Sequence, residues 1–599
     1  MTIKPVSITR NITDNSRGFL AKINWENETL VEIIINESTK GHQATYYEHE
    51  SGDLLLICIG HLYSINAKSF SINESLELLA KIYKSDDLDT LNSAIGGGIF
   101  TLLIIDKLLN KIIALTDFLA CMPLFHQEIN NGYLLGTNQF DFPESDNPSL
   151  IACGEYLSYG YLPFHESLFA KVHRIGPGQI IKINCADSGI VIVSEKKYPK
   201  YPPQEKRIAN EDEAIMQLDT LLSKFFSRLG NEPIAAGLSG GYDSRLIAAY
   251  CRKKAIHLVT YDNPKTKEAC YARQVADILG LQTEVFNIPG DAPSRFSDDF
   301  FYGMGTIDSL ESSHVFGNLN ILIKDKPSYI IDGHIGDVVF GGGFYSKLKS
   351  DSEPLWKYLI GIDKYQSAKK ENVVYLKKLS SGYGRKIDGL KKELANQVDE
   401  YGNKVLFSLI ENLKENCHSH SDIVEILLQV FRGAALASGG PVTFLRRTPT
   451  LCPFYDKEIF FTCMSIDKSL RAGDRLYNAF YRHIFPELTD IPKENTRGTA
   501  SQGVIFYRMT HLKNALLRKV VRYLPNMMQK GGGVGGDIDD FLDQYLNNET
   551  NVKFFKSILA NTSISIKEIK SHLLDFTTIE DNKALYLRYI SLAFLLKKQ

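Results

Sequence analysis

The sequence of 599 residues contains no long hydrophobic run. The longest near its start, Leu54-Leu-Leu-Ile-Cys-Ile59, is strand-sized, far short of the roughly 20 apolar residues that cross a bilayer. The first residues, Met1 to Arg10, lack the apolar centre of a secretion signal. An excess of charge is missing too: 68 Lys and Arg stand against 70 Asp and Glu, a formal net charge of −2. That balance speaks against a surface for nucleic acid or anionic lipid. The nine cysteines include no CxxC pair, and their odd number argues for reduced thiols rather than a disulfide framework or a zinc site. The expectation is a cytoplasmic protein with no membrane or nucleic-acid partner. Repeats are absent, and low complexity is confined to Lys530-Gly-Gly-Gly-Val-Gly-Gly-Asp537, read as a flexible linker. What remains is ordinary: 44% apolar and 23% charged residues, in a chain too long for one core.

Residues 1–200 read as a layered sheet domain. Thr29–Ile35, Asp53–Ile59, Gly98–Ile105, Lys111–Asp117 and Gly132–Gly136 are strand-length apolar runs, and a helix over Asn73–Tyr83 interrupts them. A basic, proline-rich linker, Lys196–Pro203, follows. Ile215, Leu218, Leu222, Phe225 and Leu229 then recur at helical spacing, predicting an amphipathic helix over Glu211–Leu229. Beyond it, strands at His257–Tyr261, Thr283–Ile288 and Tyr329–Ile331 alternate with a helix at Lys267–Leu279. Such alternation predicts a parallel, doubly wound sheet, whose ligands sit at the carboxyl ends of its strands.

Gly237-Leu-Ser-Gly-Gly-Tyr-Asp-Ser-Arg245 lies at one such end, between the apolar run Ile234–Leu238 and a helix entered at Leu246. A strand, a glycine-rich turn and a helix start aim backbone N–H groups and the positive helix end at one point, an anion site. Gly240 and Gly241 are expected to let phosphate approach the backbone, and Ser239 and Ser244 offer hydroxyls. Asp243 is the loop's one acid and suits magnesium beside phosphates. A Walker loop needs a Lys before its last Ser/Thr, and none is present. The pattern resembles the SGGxDS pyrophosphate loop of the N-type ATP pyrophosphatases.

Other segments extend the resemblance to the asparagine synthetase/β-lactam synthetase superfamily. In the first half they are Ile99–Asp106, Ile113–Asp117, Met122-Pro-Leu-Phe125, Glu155–Pro163 and Arg174-Ile-Gly-Pro-Gly-Gln179. In the second half, Asp332-Gly-His-Ile-Gly-Asp-Val-Val-Phe-Gly-Gly342 resembles the "S-G-E-G-x-D-E-L-F-G-G" segment, with Asp337 at the matching Asp. The resemblance implies an α/β fold: a parallel doubly wound PP-loop (adenine nucleotide α-hydrolase-like) synthetase domain over 205–525, preceded by an Ntn-hydrolase-like sheet domain over 1–200. A helical extension over 538–599 would follow. It also implies ATP with Mg2+ on Asp243 and Asp337, and nucleotide contacts from Leu238, Ser239, Gly240, Gly241, Asp243, Ser244, Val259, Thr260, Asp332 and Gly333. Glu268 falls at the family's "D-E-x-x-x-A" segment, where it either sits near the nucleotide or is a solvated first-turn acid. His334 and Val338 replace two family acids, which puts aspartate as substrate in doubt; His334 reads as an inert histidine rather than a general base. Arg446–Asp456 resembles the "E-x-R-x-P-F-L-D" stretch, with Asp456 capping a helix from Lys457. The catalytic cation of the family falls near Ile491-Pro-Lys-Glu-Asn-Thr-Arg-Gly498, where Lys493 is the first candidate and Arg497 the second; spacing does not decide.

In that family the first domain is a glutaminase whose nucleophile is an N-terminal Cys with its own α-amino group as base. Here Thr2 stands in its place, and no Arg-Gly-Pro-Asp segment for glutamine is present. The domain is therefore expected to be inactive, with nitrogen coming from free ammonia, an amine on the substrate or a separate glutaminase. The implied activity is a carbon–nitrogen ligase that adenylates a small-molecule or peptide carboxylate, as asparagine synthetase does. An intramolecular cyclase of the β-lactam synthetase or lasso-peptide type, a tRNA-modifying adenylase and a non-catalytic nucleotide-binding relative are the alternatives. The helical tail (Leu573–Leu574, Leu585–Leu596) would pack on the body or on a second subunit in a homodimer.

Overall fold

A computed structural model describes residues 3–597 except 14–17, 25–28, 39–44, 84–87, 144–146, 165, 187–188, 197–201, 203, 262–266, 298–308, 311–323, 325, 341–389, 414–415, 419, 438, 446, 495–496, 504, 511, 514–515, 517–536 and 561–582. Thr2, most of the proline-rich linker, residues 530–536 of the glycine run and Leu573–Leu574 lie outside the described residues.

The first half is built on two six-stranded sheets. One runs in the order β1-β3-β2-β9-β8-β10, from β1 (Ile3–Thr13), β2 (Gly18–Asn24), β3 (Thr29–Ser38), β8 (Phe125–Ile129), β9 (Gly132–Gly136) and β10 (His173–Arg174). The other, β12-β11-β7-β6-β5-β4, comprises β4 (Thr45–Glu48), β5 (Leu54–Ser64), β6 (Ile95–Asp106), β7 (Lys111–Thr116), β11 (Gln179–Ala186) and β12 (Gly189–Lys196). The unbroken apolar runs of β5 and β6 have a direct cause. Leu55, Ile57, Ile59, Ile99, Leu103 and Ile105 point to the core shared with the first sheet. Leu54, Leu56, Cys58, Phe100, Leu102 and Ile104 point the other way, onto Leu76, Leu79 and Tyr83 of the helix Ile72–Tyr83. A strand buried on both faces has no polar positions to alternate.

The second half carries a five-stranded parallel sheet, β15-β14-β13-β16-β17, from β13 (Ile234–Gly237), β14 (Ile256–Tyr261), β15 (Thr283–Phe286), β16 (Tyr329–Ile331) and β17 (Thr450–Leu451). The chain moves outward from β13 to β14 and β15, then returns to the other side of β13 for β16. A crevice therefore opens between the carboxyl ends of β13 and β16, where the direction of winding reverses. The molecule is α/β, with this doubly wound sheet preceded by the two-sheet unit. The amphipathic helix expected at 211–229 is α-helical over Glu211–Ser227, with Asn210 accepting the Glu213 N–H as its cap.

The halves are stitched by backbone as well as side chains. Gly97 pairs with Asp456 in an isolated antiparallel bridge; its φ is +156°, and a Cβ there would lie 2.3 Å from the Tyr455 carbonyl oxygen. Arg228 donates to the carbonyls of Ser64, Ile65 and Ala67. Asp456 caps the helix Lys457–Ser465 as expected, accepting from the Glu458 and Ile459 N–H groups at 3.0 and 3.2 Å, and accepts the Tyr63 hydroxyl.

Candidate active site

The pyrophosphate-type loop leaves β13 at Gly237 and enters the helix Tyr242–Cys251. It is folded on itself by its two serines. The Ser239 N–H donates to Ser244 Oγ at 3.0 Å, the two hydroxyl oxygens are 2.9 Å apart, and the Gly241 N–H donates to Ser239 Oγ at 3.1 Å. Gly240 has a packing reason of its own. Gly241 adopts φ −84°, ψ 167°, open to any residue, and a Cβ on Gly240 would lie 2.7 Å from Glu494 Cβ. Gly240 makes room for the 491–498 segment, a packing need invisible from the loop alone. Neither glycine lines the cavity described next.

A cavity of about 400 Å³ occupies the crevice. Leu238, Ser239, Asp243 and Ser244 line it from the first loop; Asp332, Gly333, His334, Asp337 and Val338 from the segment after β16; Val259, Thr260 and Glu268 from β14 and beyond. Residues 238 to 337, far apart in sequence, thus meet around one volume suited in size to a small ligand.

Two glycines bring the carboxylates together. A Cβ on Gly333 would lie 2.8 Å from Asp243 Cβ, and one on Gly336 2.6 Å from Asp243 Oδ1. Between them Ile335 takes φ +58°, the left-handed region, costly for a β-branched residue at about 1–3 kcal/mol. That turn starts the short helix Gly336–Val339 and delivers Asp337. Burial first, and the Asp337 charge second, push the Asp243 carboxyl up to about 8, against the hydrogen bond from the Tyr477 hydroxyl and the charge of Lys493. Two like charges held together in a partly buried site form an arrangement a divalent cation relieves, and two carboxylates plus phosphate oxygens suit Mg2+. Among the described residues no group of three or more His, Cys, Asp or Glu is placed to hold a metal by itself.

His334 is fixed from three sides. Its backbone N–H donates to Asp332 Oδ1 at 2.8 Å, Nε2 lies 3.1 Å from the Gly433 carbonyl, and its ring stacks on Tyr455 at 5.6 Å and 13°. A carbonyl only accepts, so this contact sets the Nε2–H tautomer. Gly433 comes from a π-helical stretch, Gln429–Ala437, a backbone form frequent at functional sites. Burial pushes the Asp332 carboxyl up to about 6.

Lys493 and Arg497 do not line the cavity. Lys493 lies behind the loop, buried, its ammonium 2.8 Å from Asp474 Oδ1 and 5.0 Å from the centre of the Tyr242 ring. Burial works to lower its pKa, but Asp474, Asp243 and Asp337 together raise it above the ordinary value. Its charge thus reaches the carboxylate pair even though its ammonium is engaged elsewhere. Arg497 has φ +56° and is half-buried, near Tyr271.

Two residues not singled out from the sequence organise this region. Asp474, itself at φ +64°, accepts from Lys493 and from the Tyr507 hydroxyl at 2.8 Å. Arg245, fully buried, donates to the carbonyls of Gly240 (2.9 Å), Ile491 (2.8 Å) and Pro492. One guanidinium thereby joins the first loop to the residues just before Lys493. An Arg directly after the loop serine was the available signal: a cation in the first turn of an otherwise apolar helix requires nearby acceptors.

No helix among the described residues is long and apolar enough to cross a membrane. No curated protein matches the sequence. Solved structures with some likeness include an allosteric regulatory enzyme of purine biosynthesis (12% identity over 47% of this chain and 76% of that one, TM-score 0.20). Glutamine phosphoribosylpyrophosphate amidotransferase from B. subtilis, complexed with ADP and GMP, gives 12% over 47% and 77%, TM-score 0.20. An NH3-dependent NAD synthetase from Campylobacter jejuni subsp. jejuni gives 17% over 33% and 96%, TM-score 0.18. Residues 227–502, which hold both loops, the carboxylate pair and Lys493, match the family model of asparagine synthase.

Proposed function

We propose that the protein adenylates a carboxylate with ATP, releasing pyrophosphate, and passes the acyl group to ammonia or an amine. The observation that carries this reading is the meeting of Asp243 and Asp337 at the carboxyl ends of β13 and β16, on one cavity with the serine loop. The substrate carboxylate attacks the α-phosphorus of ATP; the bond to the β-phosphate oxygen breaks and pyrophosphate leaves. The amine then attacks the acyl carbon, AMP departs, and the amine proton goes to solvent or a nearby base. Asp243 and Asp337 would hold Mg2+, which neutralises the pyrophosphate leaving group. Ser239 and Ser244 face the phosphates, while Val259 and Thr260 on one wall and Asp332 with Gly333 on another flank the nucleoside. Lys493 supplies fixed positive charge behind the loop where phosphate charge accumulates, and Arg245 holds it in register.

The nitrogen donor in this reading is ammonia or an amine, free, carried by the substrate or delivered by a separate glutaminase. ATP, Mg2+, ammonium and a panel of small and peptide carboxylates provide the test, with AMP and pyrophosphate as products and hydroxylamine as a trap for the acyl-adenylate. ADP and phosphate in place of AMP and pyrophosphate would refute the reading. Product identity separates intermolecular ligation from cyclisation of a single substrate.

A further inference from the structure

A second cavity, of about 740 Å³, lies away from the crevice, where the two halves of the chain meet. Sheet strands of the first half form one wall through Phe100, Leu115 and Ile180, and the helices Glu211–Ser227 and Lys457–Ser465 form the other through Leu221 and Phe461. Phe461 is 38% exposed, unusual for a phenylalanine on a helix otherwise packed into the core. The cavity is on the helix-covered side of the second sheet, since Phe100, Leu115 and Ile180 belong to that core and not to the one between the sheets.

At one end stands Lys457. Its ammonium donates to the Asn92 carbonyl at 2.6 Å and to Asn92 Oδ1 at 3.0 Å, two uses of its three N–H bonds. Among the described residues it meets no carboxylate. The acids beside it in sequence are committed: Glu458 pairs with Lys224 at 2.6 Å, and Asp456 caps the helix and takes the Tyr63 hydroxyl. Lys457 is also the first residue of its helix, where the positive end of the helix dipole disfavours a cation. Burial alone acts on this ammonium and pushes it down to about 8. Lys457 is half-buried; a charge that loses part of its water without gaining a counter-ion is destabilised, and an anion in the adjoining cavity offsets that cost.

We propose that this interdomain cavity binds an amphipathic carboxylate, its head on Lys457 and its apolar body between Phe100, Leu115, Leu221 and Phe461. The site needs neither ATP nor turnover, so its test is independent of the proposed ligase activity. Octanoate titrated calorimetrically into the full-length protein is the probe, with octanamide as its uncharged counterpart. Octanoate is expected to bind and octanamide to bind at least about tenfold more weakly, the size of one charge-assisted hydrogen bond. Lys457→Met should weaken octanoate by a similar factor, and Leu221→Trp, which fills the apolar end, should abolish binding. Should either variant misfold, acylation of Lys457 in the wild-type protein followed by mass spectrometry gives the second measurement, with octanoate expected to protect it. Equal binding of octanoate and octanamide, unprotected Lys457, or no octanoate binding to the wild-type protein would each overturn the proposal.

Discussion

Removing both members of the Lys493–Asp474 pair should destabilise the protein by clearly less than the two single losses summed. The Lys493 residue is 9% exposed and Asp474 4%, with 2.8 Å between ammonium and carboxylate. Breaking such a buried pair leaves one charge unmatched, at about 3–5 kcal/mol. Lys493→Met leaves Asp474 without its ammonium partner, and Asp474→Asn leaves an ammonium facing an amide; each is expected to cost about 3 kcal/mol. The double variant removes both charges and should recover about 2 kcal/mol of the summed loss as coupling. Pulse proteolysis in urea measures this without requiring the whole chain to unfold in one step. Additive effects, with coupling below about 0.5 kcal/mol, would refute the reasoning. The same variants separate structure from chemistry. Lys493→Met should lower turnover by about 10²–10³-fold with nucleotide affinity little changed, because fixed charge acts mainly in the transition state. Arg497→Met should do clearly less, and the reverse order would move the catalytic role to Arg497.

Arg245→Lys keeps the charge but not the fork that reaches three carbonyls; turnover should fall about 10-fold or more through kcat while the protein remains folded, and an unchanged kcat would dismiss the positioning role. For Asp243 the sign follows from a folded pKa of about 8 above the ordinary 3.8: the folded state holds the proton, so in metal-free buffer stability is lost as pH rises from about 4 toward 8. Asp243→Asn should be more stable than the wild-type protein at pH 8 without Mg2+, should match it at pH 3, and should lose stabilisation by Mg2+ and ATP; calorimetry at the two pH values checks all three. Glutamate release from glutamine should stay at background, and Thr2→Ala should leave it there.

The strand–loop–helix around Gly237–Arg245 was legible because all its parts are adjacent: the apolar run, the glycines and the helix start sit within twenty residues. The cap at Asp456 was legible for the same reason. Long-range geometry was not. Ile335 in a left-handed turn looks like any apolar residue in a sequence, yet it aims Asp337 at Asp243. Asp474 gives no hint in the chain that it will hold Lys493, nineteen residues on, because its own left-handed backbone is imposed by the surrounding fold. The reason for glycine at 240 lies 254 residues away, in the side chain of Glu494.

These distant contacts share one consequence. The Gly240 carbonyl accepts from both Arg245 and the Glu494 N–H (3.1 Å), Glu494 Oε1 accepts the Lys267 N–H (3.3 Å), and Arg245 reaches Ile491 and Pro492. Three segments that read as separate motifs, the serine loop, the start of the helix Glu268–Leu279 and the Lys493 segment, are therefore latched through backbone groups. Displacing one must break hydrogen bonds to the others, and the buried ones, from Arg245 to the Gly240 and Ile491 carbonyls, cost about 1–3 kcal/mol each when left unmade. A cation latched in this way meets developing phosphate charge without having to reorganise, which is what makes a fixed charge worth more than a mobile one.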